Sequence, residues 1–199
     1  MDIKGFFDEY RWLSNFYPSP IRFDPNHIAP TSEHLYQAVK VKDPGTRVRI
    51  LSAKTPRDAK QIANSAEFVP DWHDKKVDVM RKILVMKFHS HPELYALLKA
   101  TGTGYLEETN YWGDRFWGVC KGEGENWLGK LLMSVREERG PSGWMDGVLE
   151  QGGSFGDEFD VVVIRDPETF IGVRALKCVN DQYVDYRTYL HPSRWTPEN

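Results

Sequence analysis

Between residues 31 and 140 the chain is cut five times by helix start and stop signals, and that punctuation constrains its fold more than any other feature. Thr31 stands before SEHLYQAVKV as an N-cap, and Pro44-Gly45 predicts the end of that helix. Thr55 followed by Pro56 opens a second, TPRDAKQIANS, with proline at the first helical position, where its missing N–H costs nothing. A third begins near Trp72 and carries Val77, Met80, Leu84 and Phe88 on one face at helical spacing. Pro92 opens a fourth over ELYALLKA, closed by Gly102. Asn126 is the expected cap of a fifth, whose Leu128, Leu131, Leu132 and Val135 form an apolar stripe that stops at Gly140-Pro141.

Beyond residue 140 the pattern changes. GWMDGVLEQGGSFGDE is glycine-rich and reads as loop, whereas FDVVVIR, VRALKCV and QYVDYRTYL are β-branched and aromatic runs that predict a small sheet or hairpin. Short strands are also expected near the N-terminus, at residues 4–7 and 21–24. The fold class is therefore mainly α: a compact multi-helical domain over residues 1–140, short N-terminal strands, and a small β-rich extension over 141–199 packed on the same domain.

Composition narrows the function classes. Of the 199 residues, 40% are hydrophobic and 28% charged, which is ordinary for a globular chain. A formal net charge of −3 argues against gripping nucleic acid by charge alone. The charge is unevenly split, however. Residues 140–199 hold five Lys+Arg against ten Asp+Glu, while residues 1–139 hold 21 against 19, so phosphates are better recognised by the first segment. Cys120 and Cys178 are too few for a disulfide framework, which fits a reducing compartment. With no apolar run suited to a signal peptide or a membrane span, a cytoplasmic location is the expectation. The seven tryptophans offer stacking surfaces for planar ligands, or extra core volume.

Two constellations carry chemistry. Glu33, Tyr36, Gln37 and Lys40 fall at i, i+3, i+4 and i+7 and share one helix face, with Leu35, Ala38 and Val39 as the core side. Glu33 and Lys40 are separated by about 10.5 Å along the axis, too far for a surface ion pair but suited to holding a ligand between them. A solvated polar face explains the same four residues. In the second constellation, DRFWG at 114–118 is followed by KGEGENWLGKLLM, where Gly122 and Gly124 run into a helix start, the geometry of an anion site. GxxxxGK[ST] is absent, and Trp127 stands where a dinucleotide loop needs its third glycine. Glu123 and Glu125 work against an anion there, and a plain turn explains the glycines. His89 and His91 lack further ligands, so no metal is expected, and nothing marks Cys120 as an activated nucleophile.

The order of five motifs adds to this. WLSNF at 12–16, TSEHLYQAVK at 31–40, DWHDKKVDVMRKILVMKF at 71–88, DRFWG at 114–118 and GENWLGKLLMSVR at 124–136 together resemble the NADAR (YbiA-like) family over roughly residues 3–139. The resemblance implies a mainly helical fold and N-glycosidase activity, on ADP-ribose attached to guanine or on phosphoribosyl-type intermediates of riboflavin synthesis. It carries functional positions onto Glu33, Lys40, Trp72 and Asp114, and further onto Trp117, Gly118, Asn126 and Gly129, with Asn15 and Phe16 in the same pocket.

That chemistry suits the residue types. An oxocarbenium-like sugar is stabilised by a carboxylate, the role expected of Asp114, and a proton must be moved, the role expected of Glu33. Lys40 either attacks the anomeric carbon as a desolvated amine or stays charged and binds phosphate. Trp72 and Trp117 are expected to sandwich the base. No cofactor, membrane or obligate protein partner is expected. The expected substrate is ADP-ribosylated guanine in DNA, RNA or a nucleotide. The alternatives are a riboflavin intermediate or, in a different class, a non-catalytic ADP-ribose or NAD-binding module, which would not need the acid/base pair.

Overall fold

The computed structural model describes residues 2–24 and 27–138, and strands at 154–155, 159–166, 170–179 and 182–189. The five punctuated helices are present. Thr31 caps α1 (Ser32–Lys40) by accepting the His34 N–H at 3.2 Å, and Thr55 caps α3 (Pro56–Asn64) by accepting the Asp58 N–H at 3.1 Å. Pro44 is not only a stop. It is the first residue of a further helix, α2 (Pro44–Leu51), whose cap Asp43 accepts the Thr46 N–H at 2.7 Å. Proline ends one helix and begins another for the same reason, a fixed φ and no N–H.

The long helix α4 (Trp72–Ser90) spans about 28 Å and is the spine of the domain. Its Met80, Leu84 and Phe88 are buried as the periodicity predicts, against α5 (Pro92–Ala100) and α6 (Trp127–Glu137). A 3-10 turn at Asp8–Leu13 drops Trp12 edge-on against Phe88, with ring centroids 6.5 Å apart. On the other flank, Ala38, Ala59 and Ala63 form a smaller core with Val41 and Ile50. The small side chains let α3 lie close to α1. Val39, expected on the core side of α1, is exposed instead.

The strands are short. β1 (Ile3–Lys4) pairs in parallel with β4 (Leu106–Glu107), one residue earlier than the expected 4–7 strand, and β2 (Ile21–Asp24) pairs antiparallel with β3 (His27–Ala29). β5 (Thr109–Asn110) pairs in parallel with β6 (Val119–Cys120), and the loop between them contains DRFWG. The expected C-terminal strands form an antiparallel sheet in the order β10-β9-β8-β7, from β7 (Ser154–Phe155), β8 (Phe159–Asp166), β9 (Phe170–Val179) and β10 (Gln182–Tyr189). The glycine-rich stretch expected as loop lies mostly outside the described residues, although β7 falls within it. Among the described residues no helix is long and apolar enough to cross a membrane.

Candidate active site

The polar face of α1 is not solvated. Glu33 is 6% exposed and Lys40 7%, with Tyr36 and Gln37 equally covered. A surface face would leave these groups in water, so the solvated alternative fails, and four polar side chains are instead held in the interior. Burying them is costly unless they have partners, and only some do. Gln37 donates through Nε2 to Glu33 Oε1 at 2.7 Å, while Gln37 Oε1 is buried without a hydrogen-bond partner. Lys40 Nζ lies 3.5 Å from Asn64 Oδ1 and 4.5 Å from the Phe68 ring centre. The WLSNF loop closes the first turn: the Asn15 carbonyl accepts the Glu33 N–H at 3.0 Å. Asn15 is buried with Oδ1 unpartnered, and Phe16 beside it is exposed.

Asp114 reaches the same region from the β5–β6 loop. Its Oδ1 accepts the N–H groups of Phe116 at 3.1 Å and Trp117 at 2.9 Å. Asn110 brackets its backbone, with Oδ1 accepting the Asp114 N–H at 3.0 Å and Nδ2 donating to the Asp114 carbonyl at 2.6 Å. An aspartate that caps its own turn is fixed in direction before any ligand arrives.

Tyr36 connects the two elements. The Trp117 indole donates to its hydroxyl, and both Glu33 and Asp114 lie close enough for their charges, after burial, to push the phenol above its usual pKa. Burial likewise raises Glu33 above the ordinary carboxylate range. The Gln37 hydrogen bond and the charges of Lys60 and Lys40 oppose that shift, and Asp114 adds to it. Lys40 moves down, because burial disfavours its charge and Lys60 repels it, with Glu33 pulling the other way. A carboxyl raised and an amine lowered thus lie on one buried helix face.

The remaining expected positions divide. Trp117 belongs to the site, packed edge-on against Tyr36 at 5.6 Å. Trp72 is buried behind Tyr36, 5.1 Å from its ring, so the place expected for a sandwiched base beside Trp72 is taken by Tyr36. Gly118, Asn126 and Gly129 support the site from outside it. A Cβ on Gly118 would fall 2.2 Å from the Glu108 carbonyl, and one on Gly129 would fall 2.1 Å from the Leu106 carbonyl. Asn126 occupies the cap position of α6, but with φ +54° its side chain makes no cap. It donates instead to the Leu106 carbonyl at 2.8 Å and accepts the Glu108 N–H at 3.0 Å.

The glycine turn before α6 uses four of its backbone donors internally. The N–H groups of residues 125, 127 and 128 donate to the carbonyls of 115, 116 and 117 at 2.7, 3.1 and 2.9 Å, and that of Asn126 to the Gly118 carbonyl at 3.4 Å. The donors that would hold phosphate are spent on the DRFWG loop.

Sequence reasoning missed two charged groups here. Lys60 on α3 acts electrostatically on both Glu33 and Lys40. Glu108, on the other side of Asp114, has Oε2 buried without a partner, and burial followed by the Asp114 charge pushes its pKa up to about 8. Lys60 stands one turn before Asn64, whose Oδ1 neighbours Lys40 Nζ, a link that only the fold supplies, and nothing local in the sequence marks Glu108. No cluster of His, Cys, Asp and Glu suited to a metal occurs among the described residues. An apolar hollow of about 160 Å³ on the opposite side of α1, lined by Leu35 and Val39 among others, has no acid–base pair.

Residues 5–138 match the model of the NADAR domain. The chain belongs to the NADAR domain family. Within that family it is similar to N-glycosidase YbiA of Escherichia coli, 40% identical over 137 residues that cover 66% of this chain and 82% of the relative. An N-glycosidase of Nostoc punctiforme is 38% identical over 135 residues, covering 65% and 85%. A riboflavin biosynthesis protein of Vibrio vulnificus is 37% identical over 134 residues, covering 66% of this chain and 36% of that one. The solution structure of Escherichia coli YbiA superposes with a TM-score of 0.62 at 38% identity, over 69% of this chain and 82% of that one. NADAR relatives named N-glycosidases thus share the part of the chain that carries α1, α4, the Asp114 turn and α6.

Proposed function

We propose that this NADAR protein is an N-glycosidase that hydrolyses the bond between ADP-ribose and a guanine base. The observation that carries the reading is the buried face of α1, where Glu33 and Lys40 are held out of water and Glu33 faces Asp114 across Tyr36. A module that only bound ADP-ribose would have no use for a carboxyl and an amine both displaced from their ordinary pKa values.

In the reaction, water adds its oxygen to the anomeric carbon, the carbon–nitrogen bond breaks, and the proton lost by water ends on the leaving nitrogen. Glu33 carries that proton, since burial raises its carboxyl above the ordinary carboxylate range and so favours holding and returning a proton. Asp114, aimed by its two backbone hydrogen bonds, stabilises the positive sugar as it forms. Lys60 supplies positive charge for the pyrophosphate, and Trp117 offers its indole to the base. Lys40 either adds to that charge or attacks the anomeric carbon as an amine. No metal or cofactor is needed for these steps.

The named riboflavin relatives support a second reading, hydrolysis of a reactive phosphoribosylamino intermediate by the same residues. The deciding experiment measures ADP-ribose released from an oligonucleotide bearing ADP-ribosyl-guanine, with wild type and Glu33→Gln. Release by wild type and its loss in the variant are expected. A folded wild type that releases nothing, yet consumes the phosphoribosylamino compound, would transfer the assignment to the second reading.

A further inference from the structure

Two of the most exposed large side chains adjoin the catalytic turn. Tyr111 is 80% exposed and Trp112 68%. Rings of this kind bury about 150–250 Å² when packed, and single exposed aromatics are ordinary, but two in succession beside an active site call for a partner. The segment that bears them is braced. Asn110 holds Asp114 by both its N–H and its carbonyl, and Gly113 at φ +89° closes the turn, so the rings stand on a tip fixed at both ends. A partner meeting such a tip orders little chain on binding.

A second set of rings begins two residues past Asp114. Phe116 and Trp127 are stacked, with centroids 6.2 Å apart and planes 30° apart. Lys76 Nζ lies 3.4 Å from the Phe116 ring centre, and Lys130 Nζ lies 5.0 Å from that of Trp127. Glu123 is paired with Arg115 at 2.9 Å, while Glu125 accepts the neutral Trp127 indole N–H at 2.7 Å, which does not cancel its charge. Rings alternating with ammonium groups are what an unpaired polynucleotide needs, since its bases stack and its phosphates seek cations.

We propose that Tyr111 and Trp112, continued by the Lys76–Phe116–Trp127–Lys130 row, form a platform for single-stranded nucleic acid, on which bases flanking the modified nucleotide stack. The placement of that nucleotide at Asp114 rests on the reading under Proposed function; the platform itself does not. Exposed rings stack only on bases that are not already stacked in a duplex, so the platform favours a single strand.

The test is fluorescence anisotropy of an unmodified, labelled single strand with wild type, Tyr111→Ala/Trp112→Ala and Lys76→Ala/Lys130→Ala. Wild type should bind the strand more tightly than the matching duplex, with affinity falling as salt rises. The aromatic double variant should bind about tenfold or more weakly. The lysine double variant should flatten the salt dependence by about one to two phosphate contacts. All three proteins should hydrolyse free ADP-ribosyl-guanosine alike. Equal binding by wild type and the aromatic variant, or no binding by wild type, overturns the platform. So does a wild-type dimer that the aromatic variant converts to monomer, because the rings then meet a second copy. Retained hydrolysis without strand binding removes the platform and leaves the reaction, and strand binding without hydrolysis does the reverse.

Discussion

Glu33 and Gln37 are joined by a 2.7 Å hydrogen bond across one turn of α1, so the amide fixes the carboxyl while burial raises its pKa. Glu33→Gln keeps the shape and removes the group proposed to carry the proton. A loss of about 10²–10⁴-fold in kcat with KM little changed is expected. Its stability has a definite sign with pH. A carboxyl whose folded pKa lies above its unfolded value stabilises the fold most below that unfolded value, near 4.5, and the contribution is lost as pH rises through the folded pKa. The variant should therefore melt higher than wild type at pH 8, and the gap should close in acid. Melting curves across pH that run parallel would remove Glu33 from the buried, uncompensated state.

Lys40 separates attack from simple charge. Its amine is buried and its pKa lowered, which favours a covalent route through an opened sugar held as an imine. Borohydride added during turnover should leave a reduced adduct on Lys40, located by mass spectrometry, and none on Lys40→Arg. If wild type turns over with no adduct and the arginine variant retains activity, Lys40 binds phosphate as a cation.

Glu108 places a second pH dependence next to Asp114. Its pKa of about 8 against an ordinary 4.5 means that the folded chain binds one more proton between those values. Stability falls as pH rises from about 4.5 to 8 and levels above that. Glu108→Gln should flatten this slope and be the more stable protein above pH 8, as read by urea unfolding at several pH values.

Gly129 predicts a structural cost rather than a binding one. Its Cβ would press on the Leu106 carbonyl and on the Asn126 side chain that ties α6 to β4. Gly129→Ala should destabilise by about 1–3 kcal/mol. The KM of whatever remains folded should be unaltered; a raised KM with an unchanged melting temperature would place the residue against substrate.

Lys87 supports the site from beneath. Fully buried on α4, it donates to the carbonyls of Trp12 at 2.6 Å and Ser14 at 3.0 Å and so anchors the turn that presents Asn15. Lys87→Met leaves those carbonyls unpaired, at about 1–3 kcal/mol each, and should lower kcat through the displaced Asn15–Glu33 contact. Burial lowers the amine to about 7 from 10.5. The unfolded chain then holds the extra proton between those values, so wild-type stability should rise relative to the variant from pH 7 towards 10.

The helices were legible because their ends are chemical: Thr31, Thr55, Pro56 and Pro92 mark starts that side-chain caps or a missing N–H enforce. α2 escaped because Pro44 reads equally as an end and a beginning, and only the Asp43 cap decides. The periodicity grouped Glu33, Tyr36, Gln37 and Lys40 on one face but could not say whether that face met water. Its burial depends on α3, α4 and the Asp114 turn closing over it, which is tertiary information. Glu108 was invisible for the same reason, since its burial and its closeness to Asp114 both come from the tertiary fold. The glycines before α6 offered the chemistry of an anion loop, and the fold directed the same donors inward.

Those inward donors have a dynamic consequence. Because the N–H groups of residues 125–128 close on the carbonyls of 115–118, the turn that aims Asp114 opens only when the first turn of α6 opens with it. The two segments form one cooperative unit, and their amide protons should exchange with solvent in step, at the rate of a buried helix rather than of a surface loop. An active-site loop would ordinarily be among the first parts of a protein to fray. Here its amide exchange should track that of α6.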